Sequence, residues 1–97
     1  MKFINNIQYV QDAEKIAALR PQHRDYLAGL LAQGKLVAAG PYTDDSGALM
    51  IYEADTPEQA EAFAANDPFA LGGVFASYEI KPWKVVFGNA QLLQPAL

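Results

Sequence analysis

Apolar and polar positions alternate over residues 2–10, with Phe3, Ile7 and Tyr9 on one face of an extended chain and Ile4 and Val10 on the other. That period predicts a strand. Asn5, Asn6 and Gln8 interrupt it, which favours an edge strand over the polar floor of a pocket. The period then lengthens. Asp12 can cap a short helical stretch through Ile16 and Leu19, and the restriction that Pro21 places on the backbone of Arg20 is expected to end it. A second helix is predicted over residues 21–33, with Arg20 at the cap position, Pro21 as its first residue and Gly34 beyond its end. His23, Tyr26, Leu27 and Leu30 share one face of that helix.

Residues 35–39 read as the next strand, stopped by Gly40 and Pro41. The polar run 42–47 is a turn into a strand over residues 48–53, so the two strands should form a hairpin. Thr56-Pro57-Glu58-Gln59 has the form of a capping box with proline in the first turn, and Ala60, Phe63 and Ala64 supply the apolar face of the helix it starts. Asp67-Pro68 breaks that helix. In residues 74–81, Val74, Ala76, Tyr78 and Ile80 alternate with Phe75, Ser77, Glu79 and Lys81, a strand with two unlike faces, closed by Pro82 and Trp83.

The order strand, helix, strand, strand, helix, strand predicts an α+β, ferredoxin-like βαββαβ domain whose antiparallel sheet carries helices on one face only. The domain is expected to span residues 1–87, with residues 88–97 a C-terminal tail that is flexible or packed on a partner subunit. The bare sheet face, with Val74, Ala76, Tyr78 and Ile80 assigned to it, points to a homodimer that packs sheet on sheet.

Charge and composition narrow the partners. A net charge of -4 on 97 residues leaves no basic surface for nucleic acid or anionic lipid. With no cysteine and one histidine, a thiol nucleophile and a structural zinc site are both disfavoured. No stretch has the length of a membrane span and the N-terminus lacks a secretory apolar core, so a cytoplasmic protein is expected.

The single histidine therefore draws attention. In the predicted helix His23 falls in the first turn, where the macrodipole disfavours the imidazolium and would welcome an anion. Beside it Arg20 has the forked, permanent charge to hold a carboxylate or phenolate. Tyr42 and Phe69 are candidate walls of an aromatic-binding pocket, as is Trp83. Asp44, Asp45 and Ser46 read first as turn chemistry, with Ser46 kept as a candidate substrate contact. Asp67, just before Pro68, reads on local grounds as a turn cap.

Several short motifs stand together: Arg20-Pro21-Gln22-His23 with Tyr26-Leu27, Gly34-Lys35-Leu36, Ala39-Gly40-Pro41, the turn at residues 44–47, Asn66-Asp67-Pro68-Phe69, Gly73, and Ile80-Lys81-Pro82-Trp83. In these the chain resembles the YCII-related family over residues 1 to about 87. The resemblance implies a ferredoxin-like fold that dimerises as an α+β barrel, and a histidine–aspartate pair that maps onto His23 and Asp67. It also implies a class of chemistry, because the family includes a dehydrochlorinase acting on a chlorinated hydroxyquinol and related barrels include an isomerase of muconolactone. The expected function is that of a cofactor-independent small-molecule enzyme moving protons with His23 and Asp67, in an isomerisation or an elimination on an aromatic or lactone substrate. The alternative is a non-catalytic dimeric module that binds a small molecule or a partner.

Overall fold

A computed structural model describes residues 1–95. The chain runs β1 (Lys2–Tyr9), α1 (Ala13–Ala32), β2 (Leu36–Pro41), β3 (Gly47–Glu53), α2 (Pro57–Ala65), a one-turn α3 (Pro68–Leu71), β4 (Phe75–Trp83) and a short 3-10 turn at Ala90–Leu93. The four strands form one antiparallel sheet in the order β2-β3-β1-β4. This is the expected α+β, ferredoxin-like arrangement. Under the helices the core is built from Phe3 and Ile7 of β1, Met50 and Tyr52 of β3, Leu30 of α1, and Phe63 of α2. Ala60 and Ala64, one turn apart and fully buried, give α2 the flat side that lets it sit close to the sheet.

The helix that proline was expected to divide is continuous. α1 starts at the Asp12 cap, whose carboxylate accepts the Lys15 N–H at 3.1 Å, and passes through Pro21 to Ala32. Proline deletes one hydrogen bond to the turn before it, but Ala17 and Pro21 are both exposed, so the freed carbonyl is left to water. Ile16, Leu19, His23, Tyr26, Leu27 and Leu30 form one unbroken stripe across the proline, and burying that stripe outweighs the local penalty. His23 is consequently in the middle of a 20-residue helix. The macrodipole argument for its ring lapses, since the effect fades beyond the first turn.

β1 is a central strand, not an edge. Asn5 faces the helices fully buried, with its Nδ2 donating to the Tyr52 hydroxyl at 3.2 Å, while Asn6 and Gln8 lie on the open face. β4 departs from simple alternation as well. The β1–β4 ladder slips between Gln8 and Tyr9, and this places Phe75, Tyr78 and Ile80 together against the core. Tyr78 and Ile80 therefore do not line the bare face; Ile4, Leu49, Ile51 and Trp83 do. Leu92, Leu93, Gln94 and Pro95 of the tail line a groove beside β2 with Leu31 and Val37. The last two residues of the expected tail, Ala96 and Leu97, lie outside the described residues.

Two glycines make the packing testable. A Cβ on Gly47 would stand 1.8 Å from the Ile7 carbonyl oxygen across the β1–β3 ladder, whereas one on Gly29 of α1 meets nothing within 4 Å. Gly47→Ala should cost more than about 3 kcal/mol in urea denaturation, and Gly29→Ala should gain up to about 1 kcal/mol. Burial also pushes the Tyr52 phenol far above its ordinary value, so the folded state favours the neutral ring. The stability this contributes is complete below about pH 10 and is lost as pH rises beyond it. Unfolding free energy measured against pH should fall on the alkaline side, and tyrosinate absorbance should lag behind that of a free phenol until the protein unfolds.

Candidate active site

Where β2 turns into β3, the sheet and α1 diverge around a cavity of about 360 Å³. Its walls come from four parts of the chain. α1 contributes Arg20, His23, Arg24 and Leu27; the end of β1 contributes Tyr9; the β2–β3 hairpin contributes Pro41, Asp45 and Met50; and α3 contributes Phe69. The hairpin reaches the site because Asp45 adopts a left-handed φ of 62° and the Tyr9 N–H donates to the Ser46 carbonyl at 2.9 Å.

His23 is held by two contacts. Its Nδ1 lies 2.6 Å from Asp67 Oδ1, and both side chains are buried. Its ring is stacked on Phe69, with centroids 3.8 Å apart and planes 5° from parallel. The same Asp67 Oδ1 accepts the Phe69 N–H at 2.9 Å, so the carboxylate caps α3 and anchors the histidine together. An ionised carboxylate can only accept, which places the shared proton on Nδ1. Nε2 then carries the lone pair, on the edge of a ring that lines the cavity. Among the described residues the buried Asp67 Oδ2 has no partner, and a positive charge on the ring would relieve that unshared negative charge.

Tyr9 closes the opposite side. Its ring meets Phe69 edge-on at 5.5 Å and stacks over Phe75 at 6.4 Å. Burial is the main reason its phenol is shifted upward; Asp67 and Asp45 add to the rise, and Arg20 and Arg24 oppose it. Among the residues proposed from sequence, His23, Asp67, Arg20 and Phe69 come together here. Tyr42 and Ser46 do not line this cavity. Tyr42 donates to Asn6 Oδ1 at 2.7 Å, an interaction tied to the open face, and Ser46 contributes to a separate depression beside Gln8 and Asp12. Trp83 stands at the far end of β4. Sequence reasoning missed Tyr9, Arg24 and Met50. Arg24 had a signal, since it is one helical turn from Arg20 and adjacent to His23.

The chain matches the YCII-related domain over residues 1–84. It belongs to the YCII-related family. Among curated relatives of this YCII-related chain is Protein YciI of Escherichia coli, 36% identical, with 81% of this chain and 95% of that protein covered. An uncharacterized protein of Haemophilus influenzae is also 36% identical, over 76% of this chain and 86% of its own length. Among solved structures, the 5-chloro-2-hydroxyhydroquinone dehydrochlorinase of Burkholderia phenoliruptrix, in complex with 2,5-dihydroxybenzoquinone, superposes with a TM-score of 0.76 at 29% identity. That superposition covers 87% of this YCII-related chain and 94% of the other. No helix among the described residues is long and apolar enough to cross a membrane, and no group of three His, Cys, Asp or Glu residues among them could hold a metal ion.

Because His23 is the only histidine, ring-nitrogen NMR of the neutral ring should give a single pattern, that of the Nδ1–H tautomer. Asp67→Ala should cost about 2–4 kcal/mol, since it removes a cap and a buried partner at once. Asp67→Asn, which keeps an acceptor for the Phe69 N–H, should cost less than half as much in the same denaturation experiment.

Proposed function

We propose that this chain is a small-molecule enzyme in which His23 and Asp67 act as an acid–base pair, without a cofactor, on an aromatic or lactone substrate. The observation that carries the proposal is the buried 2.6 Å contact at Nδ1, with the rest of the ring on the cavity. Nε2 accepts a proton from an acidic C–H or O–H of the substrate, Asp67 stabilises the imidazolium that forms, and the ring returns the proton elsewhere on the same skeleton or to solvent. That sequence serves isomerisation. With a leaving group on the adjacent carbon it serves elimination, the reaction class of the dehydrochlorinase neighbour. Phe69, Tyr9, Leu27 and Met50 provide the apolar surface that a flat ring needs.

A homodimer is part of the same proposal, formed by a second copy on the open sheet face. Leu49 and Trp83 are exposed there in the single chain and Ile4 and Ile51 are half-buried, a set of side chains suited to sheet-on-sheet packing. Sedimentation at micromolar concentration should show a dimer, and Ile51→Lys should dissociate it with the core intact.

The catalytic claim is tested by chloride release from 5-chloro-2-hydroxyhydroquinone and by deuterium exchange into hydroxylated quinones and lactones, followed by NMR. Turnover should fall about 10²–10⁴-fold in His23→Gln with folding unchanged, and strongly in Asp67→Asn with binding much less affected. A fully active His23→Gln protein would overturn the proposal. Variants that lose only melting temperature, in proportion to lost binding, would instead favour the non-catalytic binding module.

A further inference from the structure

The chain contains two arginines, Arg20 and Arg24, and both line the cavity of His23. In a protein with a net charge of -4 this is a concentration of positive charge at one place. The two residues are one turn apart on α1 with His23 between them, and both are exposed at the rim. Among the described residues neither guanidinium enters an ion pair or a hydrogen bond, although Asp45 lines the same cavity. The Tyr9 hydroxyl also has no hydrogen-bond partner there. Its ring is clamped between Phe69 and Phe75, so the hydroxyl is presented in a fixed direction. Arg20, Arg24, Asp45 and Asp67 are the charged groups that its phenol senses. Donors of this kind, left without acceptors around an apolar floor, describe half of a binding site.

We infer that the cavity takes a single-ring organic carboxylate, whose charged group is held by Arg20 and Arg24 with the Tyr9 hydroxyl donating to it, while its ring packs against Phe69 and Met50 near His23. Two forked guanidinium groups match the two oxygens of a carboxylate better than the one oxygen of a phenolate. Burial keeps the Tyr9 phenol protonated at neutral pH, and it therefore acts as a donor. Asp45 has the opposite sign and repels the ligand's carboxylate, which selects the orientation that points the charge at α1. The volume of about 360 Å³ suits one substituted ring. The inference takes its location from the proposed acid–base site but does not require that His23 be catalytic.

The probes are salicylate and its uncharged counterpart salicylamide, titrated into the full chain while the ring protons of His23 are followed by NMR. Salicylate should bind at least about tenfold more tightly than salicylamide. Arg20→Gln and Arg24→Gln should each weaken salicylate by about fivefold or more and leave salicylamide unchanged, and both should fold, since the residues are exposed. Tyr9→Phe should weaken salicylate a few-fold, and Asp45→Asn should tighten it. Equal affinity for the two probes, indifference of salicylate to both arginine substitutions, or no response of His23 to either probe up to about 10 mM overturns the inference. The turnover assay on the unmutated chain separates it from the catalytic reading. Arginine-dependent salicylate binding that survives in a chain with no turnover upholds the carboxylate site and removes catalysis. Turnover on uncharged substrates alone, with no preference for the anion, does the reverse.

Discussion

One carboxylate oxygen ties the functional end of this protein together. Asp67 Oδ1 accepts from the Phe69 backbone at 2.9 Å and faces His23 Nδ1 at 2.6 Å, in a place where both side chains are closed to water. The first contact starts α3 and sets the direction of the Phe69 ring; that ring then stacks on the imidazole which the second contact orients. Position, tautomer and ring plane of the histidine thus follow from one acceptor. Capping a turn and orienting a histidine are often treated as competing explanations for an aspartate before proline, and here a single oxygen makes both contacts.

The cost of that arrangement is borne by the second oxygen. Among the described residues Asp67 Oδ2 is buried without a partner, and so is Asn5 Oδ1 in β1. Stability alone would remove such groups, because each buried unsatisfied acceptor costs roughly 1–3 kcal/mol. At Asp67 the unshared oxygen belongs to the same carboxylate that faces His23 Nδ1, so a positive charge on the ring would offset it directly. The packing of α1, α2 and the sheet supplies the rigidity that keeps these groups from finding other partners.

Charge is distributed with similar economy. The chain carries a net charge of -4, yet its two guanidinium groups sit together at the mouth of the cavity that His23 lines. Screening at physiological ionic strength confines such a local field to within about 10 Å, enough to guide a small anion and too little to recruit a nucleic acid.

Periodicity and turn chemistry in the sequence were sufficient to determine the order of elements, the hairpin, the helix start at Thr56 and the class of fold, because these depend on interactions between residues close in the chain. His23 and Asp67 were legible as a pair only through the family resemblance, since 44 residues separate them and no local pattern joins them. Arg20 and Phe69 could be named from their chemistry, while Tyr42 and Ser46 had equally suitable chemistry and are placed elsewhere. What local rules got wrong has one physical origin. Proline at position 21 and asparagine at position 5 carry local penalties, and burial against distant partners overrode them: the apolar stripe of α1 runs through Pro21, and the Tyr52 hydroxyl accepts from the Asn5 amide N–H in a central strand. The pairing of Tyr78 and Ile80 with Ile7 and Asn5, which turns them toward the helices, the slip that adds Phe75 to the same face, and the meeting of Tyr9, Arg24 and Met50 around one cavity are decided by contacts across the chain. Only the folded sheet brings those residues within reach of one another.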